Sequence, residues 1–236
     1  MQVEVEGKEN EIVAAPRVLK SVDLHGKIVT GDAMFAQRDL SEVVVEGGGE
    51  YVWTVKDNQP SLRAEIEAAF AIEEGQTALP VMKNDFECAA TIEKGHGRIE
   101  ARRLTVSSQM KGYLQWPHME QVFRIEREVE ELSTGHQRRE VSYGITSLKR
   151  KEASAARLLE IVRGHWGIEN GLHYRKDKTL GEDACRLKRG EAAQVMAVIN
   201  NLIVGLVLRQ GIRNLAWARR RYSAYPLEAL NLVLRR

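Results

Sequence analysis

Three long segments of alternating apolar and polar residues constrain the fold of this chain most strongly. They are residues 97–107 (GRIEARRLTVS), 121–132 (QVFRIEREVEEL) and 138–148 (RREVSYGITSL), and polar turns separate them. A period of two is typical of half-buried β-strands, so the pattern predicts an antiparallel meander. Because a different pattern precedes it, we expect the meander to be an insertion lying to one side of another sheet.

Strands and helices alternate before the meander. Residues 27–30 (KIVT) and 51–56 (YVWTVK) are predicted strands, and residues 33–46 and 62–72 are the predicted helices that follow them. This order is typical of a parallel α/β core. Upstream, residues 2–6 predict a short strand. Residues 11–22 show helical spacing, with Pro16 expected to place the true helix start near the middle of that segment.

After residue 150 the chain is predicted to be helical. The expected helices cover residues 152–164, the segment around Trp166, and residues 192–209, 212–221 and 226–234. The predicted domains are therefore residues 1–75 as the first part of an α/β core, 76–150 as an antiparallel β insertion, and 151–236 as a helical part. The last of these is expected to complete the core.

Composition indicates a soluble globular protein without a signal peptide, since the first residues are polar and charged. Cys88 and Cys185 fit no metal or redox spacing and indicate a reducing compartment, the cytoplasm. The apolar run over residues 195–208 is interrupted by Asn200, Asn201 and Gly205, which favours a buried helix over a membrane span.

Charge is unevenly distributed, although the net charge is only +2. From residue 175 onward there are 13 Lys and Arg against 5 Asp and Glu. A basic C-terminal third suits a polyanionic partner, and a helical region with solvated arginines explains the same count.

Residues 163–183 (RGHWGIENGLHYRKDKTLGED) carry the densest group of reactive side chains. On a helix, four-residue spacing places His165, Glu169 and His173 in one stripe, with Lys176 beyond. Three interpretations remain open. The stripe is the solvated face of an amphipathic helix, a zinc-like site of unusual spacing, or one carboxylate of a magnesium site whose other ligands are distant in sequence.

Asp32 follows the predicted strand over residues 27–30, at the carboxyl edge where open α/β sheets place their ligands. An aspartate there is often only the N-cap of the next helix, so both roles stay open.

Four strings together resemble the bacterial insertion-sequence transposases of the DDE type, in particular the H-repeat-associated group found with Rhs elements. The strings are residues 27–40 (KIVTGDAMFAQRDL), 48–60 (GGEYVWTVKDNQP), 96–107 (HGRIEARRLTVS) and 163–177 (RGHWGIENGLHYRKD). The resemblance covers nearly the whole chain. It implies a ribonuclease-H-like sheet with two aspartates, and a helix with a glutamate, which together hold two divalent ions, Mg²⁺ or Mn²⁺.

Carried over residue by residue, the resemblance makes Asp32 the second aspartate and Glu169 the glutamate. Lys176 matches a lysine that contacts DNA phosphate in the family. His165 occupies the position of an arginine of the same signature, and Arg163 is a substitute for that cation. The signature's tyrosine position holds Val162 here. The implied partner is double-stranded DNA at the element ends, with a homodimer and no membrane.

The family's first aspartate lies in an Asp-Gly-Lys context on the first strand, and this sequence contains no such tripeptide. We therefore expect an N-terminally truncated member, with the first strands missing and the chain inactive alone. One alternative is a non-catalytic, DNA-binding or oligomerising remnant. Another is a metal-dependent nuclease that uses Asp32, Glu169 and either Glu182 or Asp183.

Overall fold

The computed structural model describes residues 11–73, 85–168, 175–182, 184–186 and 192–234. Its strands are β1 (Ile28–Gly31), β2 (Glu50–Val55), β3 (Glu87–Gly95), β4 (Arg98–Ser107), β5 (Gln121–Glu131) and β6 (Gln137–Thr146). Its α-helices are α1 (Glu11–Lys20), α2 (Arg38–Glu46), α3 (Pro60–Glu73), α4 (Ala155–Ile168), α5 (Ala192–Arg209), α6 (Leu215–Ala224) and α7 (Pro226–Leu234). A 3-10 helix, Ala33–Phe35, follows β1, and a π-helix, Arg175–Leu180, precedes α5.

All six strands belong to one mixed sheet in the order β1-β2-β6-β5-β4-β3. Strand β1 is parallel to β2, and every other neighbouring pair is antiparallel. The α/β class is confirmed. The expectation that the meander lies to one side of the core sheet is wrong, because β6 pairs directly with β2, Trp53 opposite Ile145. The predicted domain boundary between residues 75 and 76 therefore does not separate two sheets.

Helices cover both faces of the sheet near β2. On one face α2 and α3 pack Leu40, Val44 and Phe70 against Tyr51 and Trp53 of β2. On the other face α4 packs against β4 and β5, and this core contains Leu104, Val106, Phe123, Leu158 and Leu159. Alternate side chains of β2 therefore pack into two cores, one on each face of the sheet, as expected for a strand in the central layer of a three-layer arrangement.

Several local predictions need correction. Helix α1 runs through Pro16, since Ala15 and Leu19 on either side of it pack on the first core. Residues 33–46 are a 3-10 helix and then α2, rather than one helix. Strand β3 was not predicted.

Contacts divide the chain into two units, one ending at Arg163 and one beginning at Gly164. Helix α4 therefore packs mainly with the sheet, not with the later helices as the predicted 151–236 domain implied. The second unit has its own small core, formed by Val204, Val207, Leu215 and Ala218.

Helix α5 is not the buried helix that its composition predicted. Its buried residues are Ala197, Asn200, Val204 and Val207, whereas Val195 and Leu202 are more than half exposed. By length and composition it could cross a membrane, which is weak support for a membrane span.

On the face of the sheet that α4 covers, a group of ion pairs lies next to the apolar core. Glu100 of β4 lies at the centre, and its carboxylate contacts Arg102 at 2.7 Å, Arg98 at 3.6 Å and the Nε–H of Arg127. Burial alone would raise the pKa of Glu100, but the hydrogen bond from Arg127 and the charges of the three arginines outweigh burial and lower the pKa. The charged form of this carboxylate therefore stabilises the folded state.

We expect Glu100→Gln to lower the free energy of unfolding by about 2 kcal/mol at neutral pH, the typical worth of a hydrogen bond to a charged group. Because the folded pKa lies below the unfolded value of 4.5, this contribution is complete above pH 4.5 and is lost as pH falls through the folded pKa. Urea unfolding of the wild type and of Glu100→Gln, from neutral to acidic pH, measures this difference in stability. Glu140→Gln is the matched control, since Glu140 also pairs with Arg127 but is 44% exposed. A gap between wild type and Glu100→Gln that persists at low pH would contradict the assignment.

Candidate catalytic site and nucleic-acid interface

Asp32 lies immediately after β1, at the carboxyl end of the parallel pair β1–β2. The preceding residue must be small: a Cβ on Gly31 would lie 2.8 Å from the Trp53 ring and 2.9 Å from Cβ of Phe35. The chain can therefore pass tightly over Trp53 and project Asp32 at the surface, where it is exposed. Its side chain makes no capping hydrogen bond to the 3-10 helix, so the capping interpretation is wrong.

Two amide side chains hold the segment that follows Asp32. Asn58 donates from Nδ2 to the carbonyl oxygen of Ala33 at 2.6 Å, and Gln59 donates from Nε2 to that of Ala36 at 3.0 Å. Both residues lie in the turn after β2, so the ends of the two parallel strands are tied together. The sequence analysis gave neither amide a role. The position of their turn after the neighbouring parallel strand was the available signal.

Helix α4 is oriented by a carboxylate from the edge strand β3. Glu87 of β3 accepts a hydrogen bond from the backbone N–H of Ala155 at 3.1 Å, at the positive end of the helix dipole. Arg150 also pairs with this carboxylate at 3.4 Å. The helix then carries Arg163 and His165, two of the predicted DNA-binding residues, toward its C-terminal end.

The predicted DNA-binding cations differ in their surroundings. Arg163 pairs with Glu93 of β3, with about a third of its side chain exposed. His165 is half-buried on α4. Lys176 of the π-helix pairs with Glu182 at 3.1 Å, and both side chains are largely buried, 18% and 23% exposed. Lys176 is largely buried with its carboxylate partner and would have to exchange Glu182 for phosphate, whereas the guanidinium of Arg163 has further N–H donors beside its contact with Glu93.

Glu169, His173 and Asp183 lie outside the described residues, so the zinc-like interpretation and the approach of Glu169 to Asp32 remain predictions. Within the described ranges, no three His, Cys, Asp or Glu side chains could hold a metal together. Asp32 offers one hard oxygen donor of the kind that Mg²⁺ prefers. Glu182, considered as a metal ligand, instead faces Lys176.

Comparison with known proteins identifies the family of this chain. The family model described as Transposase DDE domain matches residues 1–206. YbfL of Escherichia coli K12 is 31% identical over 229 residues, which cover 90% of this chain and 57% of YbfL. The H repeat-associated putative transposase YhhI of the same strain is 30% identical with the same coverage, and YbfD, which has the same description, is 40% identical over 43% of this chain and 38% of its own length.

The chain thus spans a little over half the length of YbfL and YhhI. The family model covers most of the chain, and two of the relatives, YhhI and YbfD, bear the name of the H-repeat group that the sequence segments resemble. The chain belongs to the DDE transposase domain family.

Proposed function

We propose that this chain binds DNA and supplies two carboxylates, Asp32 and Glu169, to the metal site of a DDE transposase that cleaves DNA and transfers strands of an insertion sequence. The observation that carries the proposal is the exposed Asp32 at the end of β1, whose side chain makes no capping hydrogen bond to the following 3-10 helix. The parallel pair β1–β2, with α2 and α3 after its strands, fits the part of a ribonuclease-H-like sheet that bears the second aspartate.

Asp32 and Glu169 would hold Mg²⁺ or Mn²⁺, which supplies charge stabilisation for a phosphodiester under in-line attack. The protein's own contribution is position. The clamp from Asn58 and Gln59 fixes the backbone after Asp32, so the carboxylate is presented without reorganisation of its loop. Lys176, His165 and Arg163 would then neutralise phosphates, and Lys176 would exchange its Glu182 partner for phosphate.

A third carboxylate is needed to complete such a site, and the sequence has no Asp-Gly-Lys tripeptide to provide the family's first aspartate. Positioned charge accounts for most of the catalysis of phosphoryl transfer, so loss of one metal ligand removes a large part of it. We infer that the chain acts in the cytoplasm, and that the purified chain binds DNA but does not cleave it unaided.

The competing proposal is a non-catalytic, oligomerising remnant. It is favoured by the apolar side chains that α7 exposes, Leu227 at 75% and Val233 at 64%. Association of two chains would bury such residues, as in a homodimer.

Fluorescence anisotropy with a labelled duplex and nicking of supercoiled plasmid test the proposal. We expect salt-sensitive binding without sequence preference, and no Mg²⁺- or Mn²⁺-dependent nicking. Lys176→Ala should weaken binding and reduce the slope of log K against log salt by about 0.9, the value for one phosphate contact.

Lys111→Ala is the matched control, because Lys111 also forms a lysine–glutamate pair, with Glu120 at 2.6 Å. It should leave both affinity and slope unchanged. Metal-dependent nicking that disappears in Glu169→Ala would show that another acid completes the site. It would overturn the inference that the chain does not cleave DNA unaided. No DNA binding by the wild-type chain would overturn the proposal itself.

A further inference from the structure

The second unit contains a basic surface cleft that the predicted site residues do not explain. It has a volume of about 720 Å³ and lies between the π-helix and the start of α6. We call it the basic cleft. Its cationic lining residues are Arg175, Lys178, Arg213, Arg219 and Arg220.

No acidic residue is among the described residues that line the basic cleft. Two other cations of the same unit are neutralised: Arg221 forms two hydrogen bonds with Glu228, at 2.7 and 3.1 Å, and Lys176 pairs with Glu182. The excess positive charge of the C-terminal third is thus concentrated at the basic cleft. Five neighbouring cations without a lining acid repel one another, and an anion relieves that repulsion.

Two of the arginines are fixed by the backbone. Arg175 donates to the carbonyl oxygen of Arg213 at 2.9 Å, and Arg219 donates to that of Thr179 at 2.6 Å. A guanidinium has five N–H donors, so each keeps several for a ligand. Fixed guanidinium groups lose less conformational entropy when they bind phosphate than free side chains do.

The start of α6 adds to the positive potential. Asn214 caps the helix by accepting from the backbone N–H of Trp217 at 2.9 Å. The first two residues of the ten-residue helix, Leu215 and Ala216, line the cleft. Their N–H groups have no partner within the helix and carry the positive end of its dipole.

We propose that the basic cleft binds the phosphate backbone of duplex DNA, through cations other than the predicted Arg163, His165 and Lys176. This rests on the proposed function, since it names how the same DNA is held. Five cations exceed the charge of a single phosphate group, whereas duplex DNA presents one negative charge about every 1.7 Å along its axis. Arginine is also the side chain best suited to grip phosphate oxygens.

The double variant Arg213→Gln/Arg220→Gln tests the proposal, because neither guanidinium forms the backbone bonds that hold the cleft together. The matched control is Arg138→Gln/Arg221→Gln, which removes the same charge from arginines paired with Glu140 and Glu228. Anisotropy titrations of the full chain with a labelled duplex are run over a series of salt concentrations. Urea unfolding of each variant confirms that it is folded.

We expect the cleft variant to lose about tenfold in affinity at physiological salt and to reduce the salt slope by about 1.8, for two phosphate contacts. The control should bind within about twofold of wild type, as screened surface pairs imply. If the double variant unfolds, Lys178→Gln alone should reduce the slope by about 0.9, against Lys111→Gln as control.

Three results would overturn the assignment of the cleft. They are wild-type affinity in the cleft variant, equal loss in both double variants, and displacement of the duplex by millimolar pyrophosphate at constant ionic strength. The first two leave DNA binding by the chain intact, so they reject the cleft without rejecting the proposed function. A wild-type chain that fails to bind DNA rejects both.

Discussion

Gly144→Ala is expected to lower the free energy of unfolding by about 3 kcal/mol, the upper end of the usual range for overpacking a core. A Cβ at Gly144 would overlap the buried Phe123 ring and lie 2.5 Å from the carbonyl oxygen of Trp53. The Trp53 oxygen belongs to the backbone of β2, so relief requires β2 and β6 to separate at their ladder. For a chain of this size the loss corresponds to a fall in Tm of roughly 6 to 12 °C.

Gly95→Ala is the control for this prediction. Gly95 also lies in a strand, β3, but a Cβ there would meet nothing within 4 Å. Differential scanning calorimetry of the two variants should therefore separate steric overlap from the general effect of replacing a strand glycine. Equal Tm values for the two variants would show that β2 and β6 are not packed as described.

Ser41→Ala should cost about 3 kcal/mol, because it leaves two buried donors without an acceptor. The Ser41 hydroxyl accepts from the indole Nε1 of Trp53 at 3.0 Å and from that of Trp116 at 3.1 Å, and donates to the carbonyl oxygen of Gln37 at 2.9 Å. All three side chains that meet here are buried. Urea unfolding, followed by tryptophan fluorescence, measures the change.

Ser21→Ala provides the comparison, since Ser21 also donates its hydroxyl proton to a backbone carbonyl, that of Val18, but at the exposed end of α1. It should change stability by less than about 0.5 kcal/mol. If Ser41→Ala lowers the free energy of unfolding as little as Ser21→Ala, the two indole N–H groups must find other acceptors. The packing of α2 on β2 is then looser than its geometry indicates.

The sequence predicted most strands and helices because burial on one face leaves a clear period. It failed on β3, whose run of Cys88, Ala89, Ala90 and Thr91 has too little contrast between its faces. It also failed on the sheet, since alternation does not specify which strand a meander will join. Gly144 was the available sign: a glycine inside a strand marks a close approach, here to the backbone of β2.

The placement of candidate residues was predictable only where the signal is local. The sequence predicted that Asp32 directly follows a strand, and the structure confirms that position after β1. The pairing of Arg163 with Glu93 was not predictable, because 70 residues separate them. Nor were the amide bonds that Asn58 and Gln59 make to the Asp32 loop, since side-chain contacts with a distant backbone leave no period in the sequence.

The clamp on the Asp32 loop consists of neutral groups, two amides and two backbone carbonyls. Amides and backbone carbonyls do not titrate across the working pH range, and added salt screens interactions between charges rather than these neutral hydrogen bonds. The geometry at this edge of the sheet should thus stay constant while pH and ionic strength are varied. Changes in DNA affinity during such titrations will report the cations that grip the backbone, and changes in metal binding will report the carboxylates.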